Sequence, residues 1–173
     1  MRPEPVSPCI DDPMALLSAC HDQVRRFCAL LLKLSTHVEA RGVDEQARTA
    51  ATAVLRYFEL AAPLHHEDED VDFYPALLAL GDAALDAHIL RLSAEHDDLN
   101  ASWRPVSRWL KGLPSAPSGP QSPPPELAVF CRLCSAHATE EERELYPHAA
   151  RLSEQQRARL AQAMTLRRTL PTL

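Results

Sequence analysis

Glycine is scarce, with four in 173 residues, and Ala, Leu, Glu, Arg and Gln are common. That mix favours helix over sheet. No basic cluster interrupts a chain of net charge -6, which excludes a nucleic-acid surface as the main partner. No stretch approaches ~18 consecutive apolar residues, so no membrane span is expected. The opening segment "MRPEPVSPCIDDPMALLSAC" lacks the apolar core of a secretory signal. Five cysteines, an odd number without an export signal, read as reduced thiols in a cytoplasm. What is present is ordinary for a soluble globular chain: 46% hydrophobic and 24% charged residues, at a length that fits one domain.

The apolar positions recur with helical periods, not alternating ones. Asp11-Asp12-Pro13 is a helix start, an Asp cap followed by Pro in the first turn. Leu17, His21, Val24, Cys28, Leu31, Ser35 and Val38 then follow at spacings of four and three, up to Gly42. A second helix starts near Asp44, with Val54, Phe58, Ala61 and His65 as its seam. Pro63 predicts a kink or an irregular turn in it, and Pro75 and Gly81 mark its end. The third starts near Asp82 and carries Leu85, Ile89, Leu92, His96, Leu99, Trp103, Val106 and Leu110 to Lys111-Gly112, with a bend expected at Pro105. The Pro- and Ser-rich stretch 113–125 reads as a loop within the domain. A fourth helix from about Pro125 has Leu127, Phe130, Cys134, His137 and Glu141 on one stripe, and Ser153 caps a short fifth. The expected architecture is all-α: an antiparallel up-down four-helix bundle over 13–152, preceded by an extended segment 1–12 and followed by a C-terminal helix and tail over 153–173.

Each long helix places one histidine in its seam: His21, His65, His96 and His137. Four buried rings without partners would cost several kcal/mol. The stretch "HHEDEDVDFYP" from His65 nearly returns 72 residues later as "HATEEERELYP" from His137. In both copies a glutamate, Glu69 or Glu141, lies four residues after the histidine, on the same helical face. Two carboxylates held together in a core repel or share a proton unless a cation lies between them. The set His21, His65, Glu69, His96, His137 and Glu141 therefore reads as a cage for two metal ions. One arrangement gives each ion two imidazoles and one oxygen from each bridging carboxylate. An oxo or hydroxo bridge then completes five ligands and leaves a place for a small one. Mixed imidazole and carboxylate donors with an open position suit non-haem iron; zinc and manganese also suit them.

The other candidates read more plainly. Asp68, Asp70, Glu140 and Glu142 should face water, and Asp72 and Glu144 stand as alternative or supporting ligands. His66 reads as exposed or supporting, His37 as surface, and His88 and His148 as too far off to bind the same metal. Cys131 and Cys134, like Cys20 and Cys28, read as packing thiols, and Tyr57, Tyr74 and Tyr146 as packing rings.

"SACHDQV", "HHEDEDVDFYP", "SAEHDDL" and "HATEEERELYP" together resemble the hemerythrin-like, or HHE cation-binding, family, over about Met14 to Arg151. The resemblance implies an antiparallel four-helix bundle holding two irons on the six residues above. Oxygen-carrying hemerythrins have a further histidine where this chain has Leu92. The remaining four histidines and two glutamates look more like the bacterial iron-cluster repair proteins of nitrosative and oxidative stress, although no cysteine-containing domain of their kind fits before His21. Binding or sensing of O2, NO or peroxide is the function expected. A di-iron enzyme reducing peroxide or NO, iron donation, and a structural zinc bundle are the alternatives.

Overall fold

The computed structural model describes residues 12–116 and 119–169, so the expected extended segment falls almost wholly outside the described residues. The described residues form helices and turns without a strand. None of the helices is long and apolar enough to cross a membrane. Helix α1 spans Pro13–Arg41, and Asp12 caps it by accepting from the backbone N–H groups of Met14 and Ala15. Gly42 closes it at a φ of 84°, where a residue with a side chain would be strained.

The second rod is composite: α2 (Glu45–Arg56), α3 (Ala62–Glu67) and α4 (Tyr74–Leu78) are joined by two π-helical turns, Tyr57–Ala61 and Asp68–Phe73. Each turn lies just ahead of a proline, Pro63 or Pro75. A proline ring clashes with the carbonyl four residues back and has no N–H to offer. Widening the turn relieves both, as the bonds from Ala62 N to Tyr57 O and from Tyr74 N to Glu69 O reach back five residues. The expected kink at Pro63 is therefore a π turn. The extra residue shifts the seam by one, so Ala62 is buried and Ala61 exposed, contrary to the regular spacing.

Helix α5 (Ala83–Gly112) runs unbroken through Pro105 and is capped by Asp82, which accepts from Leu85 N. Gln121 N donates to Val38 O and so ties the Pro- and Ser-rich stretch to the end of α1. Helix α6 spans Glu126–Glu144. It ends one residue before the second Tyr-Pro, which opens a 3-10 turn, Tyr146–Arg151. Helix α7 (Glu154–Thr169) follows Ser153, whose hydroxyl accepts from Gln156 N.

α5 packs on α6, α6 on α1, α1 on α2, and α2 on α5. The enclosed core falls into two apolar clusters. The upper one contains Val24, Cys28, Leu31, Val54, Phe58, Leu99, Leu110 and Phe130. The lower one contains Leu17, Phe73, Tyr74, Leu77, Ile89, Leu92, Leu145, Leu160 and Met164. Between these clusters sit the seam histidines and the two repeated glutamates, all buried. Leu110→Ala should destabilise the protein by ~2–5 kcal/mol, whereas Leu90→Ala on the exposed face should stay within about 0.5 kcal/mol. Urea denaturation of both variants checks the pair.

Candidate metal centre

The six residues expected to form the cage meet at one level of the core. His21 comes from α1, His65 from α3, Glu69 from the second π turn, His96 from α5, and His137 and Glu141 from α6. All six are at most 5% exposed. Every imidazole turns its Nε2 to the two carboxylates. His21 Nε2 lies 3.8 Å from Glu69 Oε1 and 3.0 Å from Glu141 Oε2, and His65 Nε2 lies 3.4 Å from Glu69 Oε1. On the other side, His96 Nε2 is 3.5 Å from Glu69 Oε2 and His137 Nε2 is 3.3 Å from Glu141 Oε1. The donors divide into two clusters that could each hold an ion, His21/His65/Glu69/Glu141 and His96/His137/Glu141.

The donor set itself fits metal. Glu69 Oε2, Glu141 Oε2 and His65 Nδ1 are buried without a hydrogen-bond partner. Glu141 Oε2 comes within ion-pair range of an imidazole nitrogen yet makes no hydrogen bond. The two glutamate oxygens instead face imidazole Nε2 atoms across the space between them, as donors around a cation would. Without a cation the two carboxyls separate in acidity. Burial and the neighbouring Glu141 push Glu69 well above the usual range. Burial also acts against Glu141, but the neighbouring imidazoles of His137 and His21 hold it well below. One carboxyl therefore keeps its proton and the other stays ionised, the compromise that a cation between them would remove.

Three of the four imidazoles are anchored from behind by acids. His21 Nδ1 lies 2.9 Å from Glu142 Oε1, His96 Nδ1 2.7 Å from Asp70 Oδ2, and His137 Nδ1 3.0 Å from Glu95 Oε2. Each carboxylate accepts the Nδ1 proton and leaves the Nε2 lone pair facing the centre. Asp70, at the surface as expected, and the half-buried Glu142 are thus both supports of the cage. Their signal was available, because both occupy the position five residues after the histidine in the repeat. Glu95 lies outside the repeat and was missed. The carboxylates are anchored too. Tyr146 Oη donates to Glu69 Oε1 at 2.9 Å and sits 3.1 Å from His21 Nε2, while Tyr74 Oη donates to Glu141. Burial and the nearby glutamates push both phenols up, so they stay protonated donors.

Other expectations need correction. Asp68 is fully buried, facing Arg167 and Arg168 instead of water. Asp72 pairs with Arg167 and Glu144 with Arg143, instead of with a residue of the cage. Glu140 does lie at the surface, on Arg91. His66 is not exposed: it is half-buried and stacks on His96 at a centroid distance of 4.1 Å. Burial and the adjacent His96 and His137 push its pKa down to about 3. His37 pairs with Asp44 and His148 lies against Arg151, both away from the centre. Tyr57 donates to Cys20 O. Hydrogen bonding to Cys28 and burial push the Cys131 thiol up, which makes it a poor nucleophile and suits a packing role.

A small cavity of about 30 Å³ adjoins the cage, lined by Val24, Phe58, Leu99 and Cys134 and by the rings of His21, His65, His66 and His137. Larger surface grooves, such as the one of about 780 Å³ along α2, lie away from it.

Glu95→Gln and Glu142→Gln should each weaken metal binding by ~10–100-fold, while Glu140→Gln leaves it unchanged. Glu69→Gln mimics the protonated acid. It should leave the melting temperature of the metal-free protein unlowered and abolish the rise on metal addition. Competition with a chromogenic chelator and paired thermal melts check these outcomes.

Comparison with known proteins agrees with this geometry. An uncharacterized protein of Haemophilus influenzae is 35% identical over 103 residues, which is 60% of this chain. The aligned part spans 59% of that relative's own length. The family profile described as the hemerythrin HHE cation binding domain matches residues 12–149, a range that contains all six cage residues and their acidic and phenolic anchors. The chain belongs to the hemerythrin HHE cation-binding family.

Proposed function

We propose that this protein holds two iron ions in the His21/His65/Glu69/His96/His137/Glu141 cage and binds or senses O2, NO or peroxide there. The observation that carries the reading is the small, largely apolar cavity of about 30 Å³ against the imidazoles. It has room for one or two waters, hence for a diatomic molecule or peroxide and little else. A pair of irons supplies an open coordination position and reversible one-electron oxidation. The chain does the rest. Val24, Phe58 and Leu99 keep bulk water from the cavity, and the acids behind His21, His96 and His137 fix the rings.

Binding is favoured over catalysis by the tyrosines. Both tyrosine hydroxyls in the centre already donate to the cage carboxylates, so neither stands free to deliver a proton to a substrate. The contact pattern supports an antiparallel up-down four-helix bundle closed by α7. With the position of the fifth histidine filled by the buried Leu92, the ligand set reads closest to that of the bacterial iron-cluster repair proteins. A cytoplasmic role in oxidative or nitrosative stress is part of the proposal.

Freshly purified protein should contain about two irons per chain and show a visible absorption band. The reduced protein should change spectrum on adding O2 or NO under anaerobic control, and recover when the gas is removed. A colourless, zinc-loaded protein indifferent to both gases overturns the reading. Turnover of peroxide or NO beyond the metal content would move it to the enzyme class.

A further inference from the structure

The cage has one support that lies outside the family match. Helix α7 begins after residue 149, where that match ends. Its apolar side, Leu160 and Met164, is buried in the lower cluster with Phe73, Tyr74 and Leu77. Its last turn carries Arg167 and Arg168, and both reach the turn that presents Glu69. Asp68, fully buried, accepts from Arg168 Nη2 at 2.5 Å and Arg168 Nη1 at 3.1 Å, and also from Arg167. Arg167 Nη2 donates to Asp72 Oδ2 at 2.5 Å, and its Nε lies 3.3 Å from Glu67 Oε2. Two cations therefore grip three acids on one stretch of the second rod. Two of those acids, Asp68 and Asp72, lie within the π turn Asp68–Phe73, and Glu69 sits between them.

A π turn is a weaker local solution than α-helix and persists only where its surroundings hold it. Two features hold this one. Pro75 disfavours the regular turn that would replace it, and the guanidinium pair binds its outer side. Arg is suited to the second task because its planar fork makes two parallel bonds to a carboxylate. Buried Asp68 without its cations would be an unpaired charge in a dry site, so the turn would have to rearrange to expose it. Glu69 is the next residue and would move with it.

We infer that Arg167 and Arg168 are positioning residues: by clasping Asp68 and Asp72 they hold the π turn that aims Glu69 into the cage, and so set how fast the centre releases metal. The metal consequence rests on the reading of the cage as a metal site; the clasp itself does not.

Two measurements separate these parts. The first is amide hydrogen exchange of the metal-free protein across residues 67–74, comparing wild type with R167A/R168A. Exchange there should quicken by roughly tenfold or more, and unchanged protection overturns the clasp. The second is the release rate of Co(II), loaded as a spectroscopic probe, into excess chelator. Release should be ~10–100-fold faster in the double variant. D68N, which keeps the shape and removes the charge, should behave in the same way should the double variant fold poorly. R167K/R168K keeps charge but not the fork and should recover only part of the wild-type rate. L110A in the upper cluster serves as a control for general destabilisation and should leave release within about twofold of wild type. Faster release in L110A to the same degree would reduce α7 to a merely stabilising element and overturn the proposal. Failure of wild type to take up Co(II) would sink the metal reading, with the exchange measurement still deciding the clasp.

Discussion

Two carboxylates and four imidazoles share one dry layer between two apolar clusters, and most of the structure answers to that. Alone, such a layer is unfavourable: burial penalises each charge, and the acids repel one another. The fold meets the problem by convergence. Four rods each contribute a nitrogen, two of them contribute an oxygen one turn on, and the orphaned lone pairs aim at the space between. A cation held there would turn the cost into binding energy and would couple folding to metal uptake. The apolar clusters above and below exclude water, which strengthens every interaction in the layer.

Internal repetition explains how such a site is built economically. Both copies deliver a histidine, a glutamate four residues later, an acid after it, and a Tyr-Pro step. The tyrosines work crosswise: Tyr74 of the first copy anchors Glu141 of the second, and Tyr146 of the second anchors Glu69 of the first. The copies nevertheless end differently. Pro75 is absorbed by a π turn and helix resumes, whereas the helix before Pro147 stops and gives way to a 3-10 turn. The same dipeptide thus ends one rod locally and only bends the other. The lower cluster differs at the two places, with Leu77 continuing the first rod's burial and Leu145 and Ala149 closing the second.

The sequence made the cage legible because its members follow periodic rules. His21, His65, His96 and His137 fall on seams that spacing alone defines, and the glutamates sit at a helical repeat from two of them. What was not legible follows from what spacing omits. Ala61 was placed inside and Ala62 lies there instead, because a π turn adds a residue that a fixed period does not count. Asp68 was placed in water because its local neighbours are acids. Its true partners are a hundred residues away on α7, and no pattern within one helix records which surface another helix covers. Glu95 was missed for a related reason: it supports His137 across the α5–α6 interface, while its sequence neighbour His96 is supported from the second rod. Supports of a site cross between elements, so they appear only once the elements are packed.

One ligand differs from the rest in how it is held. His21, His96 and His137 each have a carboxylate behind Nδ1, and each glutamate has a phenol. His65 Nδ1 is buried with no partner. Its tautomer is therefore set from the cage side alone, and its ring is steered by contacts with His21 and His66 in place of a hydrogen bond. An imidazole without a charged partner is also the weaker base and the weaker ligand. His65 and Glu69 lie on the composite rod, the only one of the long rods broken by π turns among the described residues. The rod with the least-supported histidine is thus also the rod with the least regular backbone. It is this rod that α7 grips through Asp68, three residues past His65, so a buried ion-pair cluster stands where the cage's own anchoring is thinnest.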